Sequence, residues 1–151
     1  MKAQHYLEQL DHLETVIQNK TIEREQWRDV ALGITARYDG ERVQSSGSQQ
    51  KMSDAVIKLA DIDREIDGII DQQIDTRREI IRTIEQLKPN EYKVLHLLYI
   101  QNKSFKEVAA ECGKSHSWAT SVHGIALKNL QKILDDNERK AIERTEMYKI
   151  I

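Results

Sequence analysis

Between Ala55 and Leu87 ten apolar residues recur at helical steps: Ala55, Leu59, Ile62, Ile66, Ile69, Ile70, Ile74, Ile80, Ile84 and Leu87. Steps of three and four residues put such a series on one face of a helix. At about 1.5 Å per residue that helix spans roughly 50 Å. It cannot bury its stripe alone, so it must pair with another. The partner lies upstream. From His5 to Ile34 the residues Tyr6, Leu10, Leu13, Ile17, Trp27, Ala31 and Ile34 form a similar face, interrupted at Lys20 and Arg24.

Residues 37–53, "RYDGERVQSSGSQQKMS", contain two glycines and four serines and read as the loop between the two helices. Ser53 is placed to cap the second helix, with Asp54 in its first turn. Residues 1–87 therefore form a coiled-coil-like antiparallel hairpin. The isoleucine stripe exceeds what one interrupted partner covers. A homo-oligomer through residues 1–87 is expected, with Ile66 and Ile69 in its interface. Gln73, Thr76 and Arg77 are either register-setting polar positions or residues facing solvent at one end. "DREIDGIIDQQID" reads as a solvated acidic face, because its carboxylates recur without forming a metal cage.

Composition agrees with an all-α chain. Charged residues are 32% and aromatics 5%, with six glycines and one proline in 151 residues. No twenty-residue apolar run is present, so no membrane partner is expected. The start, "MKAQHYLEQL", lacks the apolar core of a signal peptide, which points to the cytoplasm. Cys112 is the only cysteine, so no internal disulfide can form. The net charge of −2 conceals a division. Residues 1–87 hold 12 Lys and Arg against 17 Asp and Glu, residues 88–134 hold 7 against 3, and residues 135–151 hold 4 against 5. Only the middle block suits a polyanion.

Pro89 ends the long helix. Asn90 is placed to cap a new one, with Glu91 in its first turn and Val94, Leu95, Leu98 and Tyr99 as its apolar face. "QNKS" ends that helix. Ser104 followed by Glu107 is a capping box, opening a helix with Phe105, Val108, Ala109 and Cys112 inward. Gly113 suits the left-handed position that closes it. Ser115 caps a last helix through Ala119, Val122, Ala126, Leu127 and Leu130. Two capped helices around a glycine turn make a helix-turn-helix, whose second helix characteristically enters the DNA major groove. Having its own apolar faces, the span 88–134 is expected to fold without the arm. Residues 135–151 read as a charged helical extension or tail.

The stretch Leu87 to Leu130 resembles region 4 of bacterial sigma factors, which reads the promoter −35 element. Leu87-x-Pro89, Glu91, Val94-Leu95 and Tyr99 match that family's first helix. Phe105-x-Glu107-Val108-Ala109, Gly113 and Ser115 match its helix-turn-helix. Val122 and Ala126-Leu127-x-x-Leu130 match the end of its recognition helix. The whole chain is similar to small phage-encoded proteins with a sigma-like C-terminus, grouped with late-transcription regulators of the ArpU and RinA type. The resemblance implies binding to double-stranded promoter DNA, with host RNA polymerase as a second partner.

The chain departs from the resembled recognition helices, which carry several arginines early. Here stand His116, Ser117, Trp118, Thr120 and Ser121. Ser117, Thr120, Ser121, Gly124 and Lys128 lie opposite the apolar face, where a groove would be met. Hydroxyls discriminate bases less sharply than bidentate arginine. Charge comes from Lys103, Lys106, Lys114, Lys128 and Lys132. The expected DNA-contacting set is Lys103, Lys106, Lys114, His116, Ser117, Thr120, Ser121 and Lys128, and weak or partner-assisted binding follows.

Cys112, His116 and His123 lack a compact fourth ligand, so no metal is expected. His123 and Trp118 read as packed residues. Gly124 is compatible with close helix packing or with backbone approach to DNA. Neither a phosphate loop nor a catalytic set is present, so neither an enzyme nor a cofactor is expected. Two rivals to the DNA-binding regulator stand: a region 4 mimic that binds polymerase without reading DNA, and a packaging component resembling a small terminase subunit.

Overall fold

The computed structural model describes residues 1–38 and 46–150, with side chains described for 1–33 and 49–150. Among these the chain is all-α and has no strand. Two long helices, α1 (Ala3–Tyr38) and α2 (Ser46–Ile84), precede α3 (Pro89–Leu95), α4 (Phe105–Cys112) and α5 (His116–Ile150). Contacts group the chain into two compact units, residues 12–74 and residues 1–11 with 75–151.

In the unit of residues 12–74, α1 and α2 run antiparallel. Leu13, Ala55 and Ile62 are buried, and Val16, Ile17, Trp27, Leu59, Ile66 and Ile69 are half-buried. The two interruptions of the α1 stripe are seam positions filled by charge. Lys20 Nζ lies 2.5 Å from Glu65 Oε2, and Arg24 Nε lies 2.5 Å from Asp63 Oδ1. The Glu65 carboxylate holds the Lys20 ammonium above its ordinary range, and Asp63 does the same for Arg24. The acidic run is therefore more than a solvated face, because two of its carboxylates close the hairpin. Gln73 donates to Glu14 Oε2 at 2.9 Å, a cross-hairpin polar contact that favours the register reading for this position. Thr76 is half-buried and Arg77 is exposed. Ile70 and Ile74, by contrast, face outward, 38% and 49% exposed.

The expected loop is shorter than residues 37–53. Helix α1 runs through Tyr38 and α2 begins at Ser46, while residues 39–45 lie outside the described residues. Ser53 is inside α2 and caps nothing. Gln49, Gln50, Lys51 and Met52 are good helix formers that carry the helix upstream of it, and Gln50 reaches Asp54 at 3.1 Å.

In the other unit, α3 starts with Lys88 as the N-cap, in extended conformation, and Pro89 in the first turn. Asn90 is not the cap. Proline's fixed φ and missing N–H suit the first helical position, which shifts the start one residue earlier than a capping asparagine would. After Leu95 the helix loosens into one π turn, His96–Ile100, capped by Gln101, and Asn102 follows at φ 55.

Two apolar clusters hold this unit. One joins Val94, Leu97, Val108, Ala109 and Ala119, with Leu98, Phe105, Cys112, Trp118 and Val122 packed against it. The other draws Ala3, Tyr6, Leu7 and Leu10 from α1 and Ile80 and Ile84 from α2 against Leu95, Ile100, Ala126, Leu130 and Leu134. Leu7, Ile80, Ile84, Leu95 and Leu130 are all below 2% exposed, each contributing about 1.5–3 kcal/mol of burial. Polar contacts tie the same segments together. Tyr6 and Thr83 share a hydroxyl hydrogen bond of 3.0 Å, and Ala3 N donates to Gln131 Oε1 at 2.8 Å. The break at Pro89 therefore does not delimit an independently packed module, because six of the eleven buried residues of the second cluster come from residues 1–11 and 75–87.

The extension is helical: α5 continues unbroken to Ile150, with residues 135–150 all exposed. No described helix is long and apolar enough to cross a membrane.

Candidate nucleic-acid interface

The interface is built from the turn between α4 and α5. Ser104, at φ −77 and ψ 163, accepts from Glu107 N at 3.2 Å, while Ser104 N donates to Glu107 Oε1 at 3.5 Å. This reciprocal box fixes where α4 begins. At its end Gly113 takes φ 63 and ψ 35, and Lys114 N returns to Ala109 O at 2.9 Å. A side chain at φ 63 would be strained, so glycine is what permits so short a turn. Ser115 then accepts from Trp118 N at 3.1 Å and starts α5. Ala109 is buried on α4 and Ala119 fully buried on α5, in one cluster, so small side chains sit where the helices meet.

With that face committed, α5 turns Ser117, Thr120, Ser121, Gly124, Ile125 and Lys128 to solvent. Lys106, Lys114 and Lys132 are also exposed, and no ion pair among the described residues engages them or Lys128. Four cations are thus free to meet an anionic partner.

Lys103 does not join them. Its Nζ lies 2.5 Å from Glu111 Oε2, and its side chain is only 31% exposed. The turn after Ile100 brings it over α4, where an acidic residue eight positions on neutralises it. Thr120 is also partly committed: its hydroxyl donates toward Ser117 O at 3.0 Å and His116 O at 3.3 Å. It can accept from a base but has no free proton to offer. His116 is exposed and tilts against Phe105, ring centroids 5.9 Å apart.

On the inner side of α5, His123 is half-buried. Its Nε2 lies 2.8 Å from Tyr99 Oη, its ring stacks on Tyr99 at 5.8 Å, and it meets Phe105 edge-on at 5.2 Å. Burial pushes the His123 pKa below its ordinary value and the Tyr99 phenol above its own. Burial likewise lowers His96, with Arg77 adding to the effect and Glu85 opposing it. No His, Cys, Asp or Glu group among the described residues could hold a metal ion. Trp118 packs against the α4–α5 cluster. At Gly124 a Cβ would meet nothing within 4 Å, which removes close helix packing as the reason for this glycine.

A family model described as a protein of unknown function, DUF1492, matches residues 35–131, well over half of the chain. The chain belongs to the DUF1492 family. The DUF1492 match runs from the end of α1 through α2, α3 and α4 into α5, and includes all eight expected contact residues. It stops before the exposed extension of α5. No curated protein and no solved structure matches the chain.

Two features of this face of the DUF1492 protein have little or no local signal in the sequence. The Lys103–Glu111 pair spans a turn and has no helical spacing to announce it. Ile125 sits between Val122 and Ala126 of the resembled pattern, both of which face inward. Its position four residues after Ser121 and three before Lys128 is the signal that could have found it.

Proposed function

We propose that the protein is a regulator of transcription that binds double-stranded DNA through the α4–α5 unit, with α5 in the major groove, and acts together with RNA polymerase in a bacterial host. One observation carries the reading. The capped, tightly turned α4–α5 pair leaves a polar α5 face open beside four exposed lysines, Lys106, Lys114, Lys128 and Lys132. Phosphate neutralisation by lysine supplies affinity, and side chains on the groove-facing helix supply register. The resemblance to sigma region 4 supports the same partner. The arm contributes assembly: the outward Ile70 and Ile74 of α2 are apolar positions the hairpin leaves uncovered. The test is to sequence the fragments that the purified full-length protein retains from a random duplex pool. An enriched motif is expected, and retention of random sequence alone contradicts base reading.

A second reading is favoured by the modest charge of the site. With Lys103 neutralised by Glu111 and the Thr120 proton held by its own helix, the module would bind polymerase as a region 4 mimic without reading DNA. Capture of polymerase by a protein that retains no duplex at low salt supports that alternative.

A further inference from the structure

Between His116 and Lys128 the outward face of α5 carries one large, exposed apolar side chain that neither core uses. Ile125 is 54% exposed and belongs to neither buried cluster. A single exposed isoleucine is ordinary on a protein surface. This one stands one turn after Ser121 and one turn before Lys128, both exposed, on the side of the helix turned away from Ala126 and Leu130.

We propose that Ile125 reads a thymine, seating its side chain against the C5-methyl group of that base in the major groove of duplex DNA. The proposal rests on the DNA-binding reading above and names the base chemistry of the same site.

Elimination carries much of the argument. From His116 to Lys128 there is no arginine, asparagine or glutamine, so no purine edge can be held there by an Arg–guanine or Asn–adenine pair of parallel hydrogen bonds. The Thr120 proton is turned back to the helix. Ser117, Ser121, His116 and Lys128 remain: a hydroxyl serves as donor or acceptor to more than one base, and the two basic side chains can meet a guanine edge or a phosphate but not a methyl group. The thymine methyl is the one apolar feature of the major groove, and between His116 and Lys128 Ile125 is the one large apolar group that is exposed. Charge complementarity selects the occupant. Lys128 and Lys132, three and seven residues on, are exposed without an ion pair among the described residues, so an anionic duplex is favoured over an apolar protein surface. Gly124 adds no bulk beside the isoleucine.

The experiment uses the full chain and the duplex it selects from a random pool. Each thymine in turn is replaced by deoxyuridine, which lacks only the C5 methyl. One position is expected where the replacement weakens wild-type binding about fourfold, the worth of one buried methyl-sized group. Ile125→Ala should bind the thymine and uridine duplexes equally and keep the wild-type salt dependence. Because Ile125 lies outside both cores, the variant should retain wild-type helicity by circular dichroism. If binding is intact but no uridine position matters, or if Ile125→Ala responds to uridine as wild type does, the assignment to Ile125 falls and DNA binding stands. If no duplex is bound at any salt concentration, the DNA-binding reading itself falls and takes this proposal with it.

Discussion

Tyr6 and Thr83 are 77 residues apart in sequence and share a buried hydrogen bond of 3.0 Å. It joins the first turns of α1 to the last turn of α2, inside the core that also buries Leu95 and Leu130. The C-terminal helices thus depend on the chain's first residues. Leu7→Ala, at a position 1% exposed, should cost about 2–5 kcal/mol in denaturant unfolding. Tyr6→Phe should cost only about 0.5–1.5 kcal/mol, since Thr83 also donates to Glu79 O at 2.9 Å. A Leu7→Ala protein as stable as wild type would show that residues 1–11 are dispensable to this core.

The ion pair of Lys103 with Glu111 predicts a split among the lysines. Lys103→Ala should leave DNA affinity and its salt slope near wild type. Lys128→Ala should weaken binding to all sequences and flatten the slope of log affinity against log salt by about one unit. Titrations at several salt concentrations decide it, and equal losses from the two variants would place Lys103 on a phosphate.

Stability should fall on mild acidification. His123 and His96 both have pKa values below the ordinary 6.5 in the folded chain because burial disfavours the imidazolium. Between the folded values and 6.5 the unfolded chain binds more protons, so unfolding stability rises with pH through that window. The contribution is complete above 6.5 and is lost as pH falls toward the folded values. His123→Gln should reduce this dependence in urea titrations across that range. An unchanged pH profile would assign the effect elsewhere.

Assembly through the arm has its own test. Ile66 and Ile69 are half-buried, so aspartate there would damage the hairpin itself, whereas Ile70 and Ile74 are turned out. Ile70→Asp with Ile74→Asp should lower the mass in solution to that of a monomer while helicity is kept. Light scattering that shows no change would exclude this face from an interface.

Features set by neighbours in sequence were the legible ones. The capping box of Ser104 and Glu107, the left-handed Gly113 and the Ser115 cap all act over three or four residues, where spacing alone identifies the partner. Features set by tertiary contact were not. Lys20 and Arg24 read as breaks in a stripe, because the carboxylates that make them seam residues lie on the other helix. Asn90 has a capping side chain, yet Pro89 starts α3 through its backbone. The break at Pro89 suggested a self-sufficient module, since nothing in the local pattern shows Leu7 or Ile84 reaching Leu95. Among the site residues, exposure of Ser117, Ser121 and Lys128 followed from helical periodicity, while the neutralisation of Lys103 depended on how the turn after Ile100 folds back.

The central claim, that the exposed face of α5 reads duplex DNA, meets its most direct test in one titration. Wild-type protein is measured against a selected duplex and its scrambled counterpart from low to physiological salt, with Lys114→Ala alongside. The account predicts tighter binding to the selected duplex, with a shallow salt slope that Lys114→Ala flattens by about one further unit on both duplexes. Failure of the wild-type protein to bind either duplex at the lowest salt, while it still captures RNA polymerase, would contradict it.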